Sequence, residues 1–176
     1  MASLLLELEH FLPYRISVLA NVMSTAIAAA YEERFGLTIP EWRVIAVLTR
    51  YPGLSAREVA QKSRMDAVAV SRAVNRLLRA GRLRRAVAAD DRRRSVLQVS
   101  DAGAAVYREV APLALDFERA LLASISTAEG AQLDRLLGVL TERAETISAS
   151  LRSDRNLART NGRTARTAAP RRARRR

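Results

Sequence analysis

The chain has 176 residues, of which 49% are hydrophobic, enough to bury a core in one domain. It contains no cysteine, which excludes disulfides, thiolate metal sites and catalytic thiols. The net charge of +12 is concentrated in two segments, since residues 57–94 hold twelve basic and four acidic side chains, and residues 152–176 hold ten arginines and one aspartate. This distribution is typical of a nucleic-acid-binding protein, with a solvated basic surface as the alternative.

Several other classes of protein are disfavoured. A His-based zinc site or a Ser-His-Asp triad would depend on His10, the only histidine, so we expect no metal and no cofactor. The chain lacks the phosphate-binding glycine loops and nucleophile elbows of common enzymes, so we do not expect this protein to be an enzyme. Residues 1–8 have no basic start, and no apolar run is long enough to cross a bilayer. We therefore expect a cytoplasmic protein without a membrane partner.

Two helices are predicted in the first 51 residues. Apolar residues recur at three- and four-residue steps over 4–35, which predicts a long helix with a bend at Pro13. Thr38 and Glu41 form a capping-box pattern that opens a second helix over residues 38–51. This second helix is apolar on nearly every side, so we expect it in the middle of the core.

Residues 55–81 predict a helix-turn-helix. Ser55 and Glu58 repeat the capping-box pattern and open a short helix. Asp66 can cap the next helix, which Gly81 ends. The pattern is moderately specific, because many protein cores contain helix pairs at this spacing.

The second helix of this pair has one apolar and one basic face. At 100° per residue, Val70, Val74 and Leu77 share one side, and the opposite side carries Arg72, Asn75, Arg76 and Arg79. Arginine and asparagine can form paired hydrogen bonds with base edges, and a helix fits the major groove of DNA. This face therefore predicts DNA recognition, with an ordinary solvated helix face as the alternative.

A β-hairpin is predicted next, with strands over residues 83–87 and 95–99 and a charged tip over residues 88–94. A charged tip that follows a recognition helix is typical of a wing, whose arginines can enter the minor groove. Charge runs at hairpin tips are also commonly just solvated.

Two long helices follow, the first capped by Ser100 and Asp101 and the second by Ser126 with Glu129. The last helix has a narrow apolar seam, which predicts contact with a second chain, with packing within one chain as the alternative. We predict dimerisation through Leu133, Leu137, Leu140, Ile147 and Leu151. Residues 152–176 have almost no large apolar side chain, so we expect a disordered arginine-rich tail that binds polyanions.

These elements predict a mainly α protein. Its domain spans residues 1–151, with a winged helix-turn-helix lobe over 37–99 and long dimerisation helices over 1–35 and 100–151. The sequence resembles the MarR (multiple antibiotic resistance regulator) family over roughly residues 8–150. The matching segments are residues 37–48, 54–60, 69–77, 91–97 and 100–103. The resemblance implies an obligate homodimer that binds a pseudo-palindromic operator in double-stranded DNA and usually represses transcription.

The resemblance also assigns DNA contacts to single residues. In the helix-turn-helix and the wing they fall on Ser55, Arg57, Ser71, Arg72, Asn75, Arg76, Asp91, Arg93 and Arg94. Arg93 would enter the minor groove with Asp91 orienting it. Ser55 and Arg57 would contact backbone phosphate, where a helix N-terminus already favours anions.

Members of this family often bind aromatic acids or other phenolics between the dimerisation helices and the DNA-binding lobe. The residues that we expect at such a site are His10, Tyr14, Arg15, Trp42 and Arg43. A guanidinium beside aromatic walls suits a ring that bears a carboxylate, although a lone histidine and tyrosine are more often packed residues.

The residues and the resemblance together favour a sequence-specific transcriptional regulator, which we expect to be a repressor that a small aromatic or phenolic ligand releases from DNA. The alternative is a sequence-tolerant architectural DNA-binding protein, whose affinity comes from the basic tail.

Overall fold

The computed structural model describes residues 5–87 and 95–167, with side chains described as far as residue 153. Over these residues the protein is mainly helical with one two-stranded hairpin, which confirms the predicted fold class. The elements are α1 (Leu12–Phe35), α2 (Ile39–Arg50), α3 (Ala56–Ser63), α4 (Ala67–Arg79), β1 (Leu83–Val87), β2 (Ser95–Val99), α5 (Asp101–Leu122) and α6 (Thr127–Thr167).

Helix α1 begins at Leu12, so the expected start at Leu4 and the expected bend at Pro13 are both wrong. Pro13 lies in the first turn, where its missing N–H leaves no helical hydrogen bond unmade. Proline therefore opens α1 instead of bending it. Gly36 ends the helix in the left-handed conformation, with a φ of 60°, and its N–H donates to the carbonyl of Glu32 at 2.8 Å.

The predicted caps of the next three helices are confirmed. The backbone N–H and the hydroxyl of Thr38 both donate to Oε2 of Glu41, each at 2.7 Å. Ser55 donates its N–H to Glu58 at 2.7 Å and accepts the Glu58 N–H at 3.3 Å. Asp66 accepts two backbone N–H groups of α4, at 2.9 and 3.0 Å. Such caps contribute about 1 kcal/mol each and fix where each helix starts.

Helix α2 lies in the middle of the core, as the sequence predicts. Val44 and Ile45 are completely buried, and α2 packs against α1, α3, α4 and β2. Large buried side chains around it include Tyr31, Leu37, Val59, Val70, Leu77, Leu97 and Val110. Burial of each such side chain stabilises the fold by roughly 1.5–3 kcal/mol, so the helix-turn-helix rests on a rigid base.

The hairpin is bonded to the rest of the lobe along one edge. Strands β1 and β2 pair antiparallel over their whole lengths, as predicted. The N–H of Leu97 donates to the Leu54 carbonyl at 2.9 Å, and the Leu97 carbonyl accepts from the Gly53 N–H at 3.2 Å. The loop after α2 therefore anchors β2 through two backbone hydrogen bonds. The wing tip, residues 88–94, lies outside the described residues.

The start of α5 is fastened to the start of β1. The hydroxyl of Ser100 donates to the Gly81 carbonyl at 2.6 Å and accepts the N–H of Gly103 at 3.1 Å. The N–H of Ser100 donates to the Arg82 carbonyl at 3.1 Å. The Arg82 guanidinium in turn donates to the Phe35 carbonyl at 2.6 Å. These bonds join the end of α1, the wing and α5 at one junction.

The contacts divide the chain into two compact units, Met1–Leu121 and Leu122–Arg176. In the second unit, Ser126 donates its N–H and its hydroxyl to Glu129, each at 2.7 Å, which confirms the predicted cap of α6. These hydrogen bonds, the backbone bond first, lower the pKa of Glu129. A single domain over residues 1–151 stays a prediction.

Helix α6 is longer than the sequence suggested. Its backbone is helical to Thr167, so the expected disorder is wrong for residues 152–167, and residues 168–176 lie outside the described part of the chain. Alanine and arginine are good helix formers, and extending an existing helix avoids the cost of nucleating a new one. A segment without an apolar face can therefore continue a helix that began upstream.

Candidate functional site

The basic face of α4 is exposed, as the sequence predicts. Val70, Val74 and Leu77 are buried against the core, which turns the opposite side of the helix outward. The predicted contact residues on this helix, Ser71, Arg72, Asn75 and Arg76, are all exposed. Because the cap at Asp66 fixes the first turn, these side chains project from a rigid element.

Arg76 differs from the other residues of this face, because its guanidinium is held by a buried carboxylate. Its Nε atom lies 3.1 Å from Oε1 of Glu41 in the first turn of α2. The side chain of Glu41 is 5% exposed, whereas that of Arg76 is 55% exposed. A concavity of about 320 Å³ lies beside this pair, lined by Thr38, Pro40, Ala69, Arg72, Ala73 and Arg76.

Val68 is a residue on this face that the sequence interpretation missed. It lies four residues before Arg72, and 56% of it is exposed. An apolar side chain there can contact the methyl group of thymine. The sequence signal that could have identified Val68 is its position, about one helical turn before Arg72.

The start of α3 carries the two predicted phosphate contacts. Ser55 is the N-cap residue, and its hydroxyl oxygen accepts the Glu58 N–H. Arg57 is exposed in the first turn. A helix N-terminus next to a guanidinium suits an anionic phosphate.

The predicted wing contacts Asp91, Arg93 and Arg94 lie outside the described residues. In the described part of the wing, Arg84 and Arg85 of β1 are exposed. The sequence interpretation did not count these two arginines as contacts, although they lie in the same basic segment. Their position between α4 and the wing tip extends the basic surface.

A cavity of about 320 Å³ lies between α1 and α2. Its walls are largely apolar, with Met23, Ile27, Ile39 and Trp42 among them. Its polar groups include Arg43, whose Nη2 atom donates to the Ser24 hydroxyl at 2.8 Å. The cavity therefore combines an apolar wall with a guanidinium.

Two of the five predicted ligand residues, Trp42 and Arg43, line this cavity, whereas His10, Tyr14 and Arg15 do not. His10 precedes α1, and its Nδ1 atom lies 3.4 Å from Oε2 of Glu7. His10 and Tyr14 therefore do not share a helix, because α1 begins only at Leu12.

The rings of two tyrosines lie next to that of Trp42. The centroid of its ring lies 5.8 Å from that of Tyr31 and 5.7 Å from that of Tyr107, with the latter pair stacked. Tyr31 also lines the cavity, and burial raises the pKa of its hydroxyl to about 12. The Tyr31 hydroxyl is therefore neutral near pH 7.

The five residues of the predicted dimer seam lie on α6 and are all exposed on the single chain. Their exposed fractions run from 42% to 53% for Leu133, Leu137, Leu140, Ile147 and Leu151. An apolar row that water reaches is typical of an interface with another protein. Dimerisation through this row stays a prediction.

A helix-turn-helix followed by an antiparallel hairpin, with a basic face on the second helix, defines a winged helix-turn-helix protein. Residues 35–94 match the MarR family. Solved structures of that family share the fold, so the match and the structure together show a winged helix protein that is similar to the MarR family.

Solved regulators of this type cover most of the chain. A MarR/EmrR family transcriptional regulator from Acinetobacter sp. ADP1 is 26% identical, with a TM-score of 0.74 over 80% of this chain and 99% of that one. The PcaV transcriptional regulator from Streptomyces coelicolor, solved with its natural ligand, is 25% identical, with a TM-score of 0.62 over 82% and 99%. MepR from S. aureus, solved with DNA, shares the fold, at 19% identity and a TM-score of 0.68 over 76% and 96%.

No curated protein sequence matches this chain. In the part of the chain that the structure describes, we find no helix long and apolar enough to cross a membrane.

Proposed function

We propose that this protein is a homodimeric transcriptional regulator that recognises a pseudo-palindromic operator in double-stranded DNA. The observation that carries the proposal is the exposed face of α4, where Arg72, Asn75 and Arg76 stand opposite a fully packed side. Arginine and asparagine on a rigid helix are suited to reading guanine and adenine edges in the major groove. The likeness to MepR, which was solved with DNA, supports the same use of the fold.

Dimerisation would place two such helices in adjacent major grooves, about 10 base pairs apart. The exposed apolar row on α6, which includes Leu137 and Leu140, supports a partner chain at that helix. Ser55 and Arg57 at the start of α3, and the wing residues Arg93 and Arg94 with Asp91, would contribute the contacts outside the major groove.

We further propose that the protein is a repressor, and that a small aromatic acid or phenolic ligand releases it from DNA. The cavity between α1 and α2 is large enough for a single aromatic ring, and Arg43 supplies a cation for a carboxylate. PcaV, which was solved with its natural ligand, supports a ligand-responsive regulator.

Replacement of Arg72 by alanine tests the main proposal. We expect the variant to lose preference for the operator over duplexes with single-base changes, because a bidentate contact discriminates bases by roughly 1–3 kcal/mol. Arg108→Ala removes the same charge from an exposed position on α5, and it should leave the preference unchanged. Fluorescence anisotropy with labelled duplexes at fixed salt measures both.

Removal of the basic tail tests the architectural alternative. If the protein is the regulator that we propose, a chain that ends at Leu151 should bind all duplexes more weakly and with a flatter salt dependence, while keeping its preference for the operator. If this truncation abolished the preference and Arg72→Ala left it intact, recognition would lie in the basic tail. Footprinting separates the two functions as well, since a regulator protects a palindrome and an architectural protein coats DNA uniformly.

A further inference from the structure

Glu41 is the only buried charged side chain among residues 5–87 and 95–153. A carboxylate that leaves water is destabilising unless hydrogen bonds and opposite charge replace its solvation. Both of its oxygens are bonded, since Oε2 accepts two bonds from Thr38 and Oε1 lies 3.1 Å from Nε of Arg76. One carboxylate therefore joins the first turn of α2 to the exposed face of α4.

The capping function alone does not account for this burial. In α6, Glu129 makes the same two bonds to Ser126, with the same distances of 2.7 Å, while it is exposed to solvent. A capping box therefore needs neither burial nor an arginine. The feature that distinguishes Glu41 is the guanidinium of Arg76.

The geometry of the contact decides which part of Arg76 stays available. Glu41 holds the Nε atom, which lies at the inner end of the guanidinium, and the side chain as a whole remains 55% exposed. The guanidinium is planar and rigid, so an ion pair at its Nε end restricts where the two Nη groups can lie. Arg76 and Arg72 line the same concavity.

We propose that Glu41 is a positioning residue for DNA recognition, which orients the Arg76 guanidinium so that its Nη groups meet one base edge. The inference rests on the proposed function, because it requires Arg76 to contact DNA. A long arginine side chain without this ion pair would adopt many rotamers, and the operator would have to select one of them. Glu41 therefore contributes to base discrimination without touching DNA.

Two variants separate positioning from capping. Glu41→Gln retains the cap, because glutamine serves equally in capping boxes, but it removes the negative charge that holds Arg76. Thr38→Ala does the reverse, since it removes the hydroxyl bond of the cap and leaves the contact between Glu41 and Arg76 in place. Glu129→Gln is the matched control in α6.

The measurement is the ratio of dissociation constants for the operator and for duplexes with one base pair changed, by anisotropy at fixed salt. We expect Glu41→Gln to reduce this ratio on the order of tenfold at the base pair that Arg76→Ala identifies, and at no other position. In the double variant, Glu41→Gln should add nothing to Arg76→Ala. Thr38→Ala and Glu129→Gln should leave the ratio unchanged.

Other outcomes overturn the inference. If Glu41→Gln kept full discrimination, or lost it equally at every base pair, Glu41 would be only a structural residue. If it tightened binding to all duplexes, Glu41 would be neutralising Arg76 instead of orienting it. Should the glutamine variant fail to fold, Glu41→Met removes the charge without burying an unpaired amide. The same ratios of dissociation constants are then expected for the methionine variant.

The experiment also distinguishes failure of this inference from failure of the proposed function. If the unmodified protein prefers no duplex, the regulator proposal itself is wrong. If it prefers the operator and Arg76→Ala changes that preference, while Glu41→Gln does not, only the positioning role is wrong.

Discussion

Replacing Gly103 by alanine tests the junction between β1 and α5. A Cβ atom at this position would lie 2.2 Å from the Arg82 carbonyl oxygen and 2.9 Å from Cγ1 of Val99. Ordinary contacts of this kind begin at 3.4 Å, so the backbone would have to move by about 1 Å. The Arg82 carbonyl cannot simply withdraw, because it accepts the N–H of Ser100 at 3.1 Å.

The net effect is the difference between two opposing contributions. Overpacking of a core costs roughly 1–3 kcal/mol, and a clash with backbone belongs at the upper end of that range. Alanine in place of glycine gains about 1 kcal/mol of helix propensity. We therefore expect a loss of about 2 kcal/mol in the free energy of unfolding, which lowers Tm by about 4–8 °C for a chain of this size.

Urea unfolding followed by circular dichroism measures the difference, at one protein concentration because any self-association would make stability depend on concentration. Gly138→Ala is the matched control, since Gly138 lies inside α6, where an added Cβ atom would meet no neighbouring group within 4 Å among the described residues. That variant should be more stable by roughly 0.5–1 kcal/mol. If Gly103→Ala unfolded at the same or a higher urea concentration than the original protein, the close approach of the Arg82 carbonyl would not be a constraint on this position.

Two further predictions concern the cavity. Burial raises the pKa of Tyr31 to about 12, so between pH 10 and pH 12 the unfolded chain loses this proton while the folded chain keeps it, and stability falls. In the Tyr31→Phe variant, the urea midpoint of unfolding should therefore fall less steeply between pH 10 and pH 12. A decline identical to that of the original protein would contradict this prediction. Arg43→Gln should weaken benzoate binding roughly tenfold and leave benzamide unaffected, because only benzoate carries a charge. Quenching of Trp42, the only tryptophan, measures the binding of both compounds, and equal losses would rule out a carboxylate contact with Arg43.

The features that the sequence predicted correctly depend on short stretches of chain. Capping boxes such as Thr38 with Glu41 lie within four residues, and helix faces repeat every three to four residues, so both are visible without a tertiary structure. The same reasoning failed at Pro13, because a proline can either bend a helix or open one. The residues next to it along the chain do not distinguish these two cases. Because of that one error, the sequence interpretation placed His10 inside α1, whereas this residue precedes the helix.

The amino-acid sequence by itself determined the order of helices and strands, the helix caps and the basic face of α4, because each follows from residues that are neighbours along the chain. Only the tertiary structure decided which distant residues meet: Arg76 with Glu41, Gly103 with Arg82, and Trp42 with Tyr107. Such pairs depend on how packed helices and strands are oriented in space, and that orientation is set by the whole core, so no local pattern can encode it.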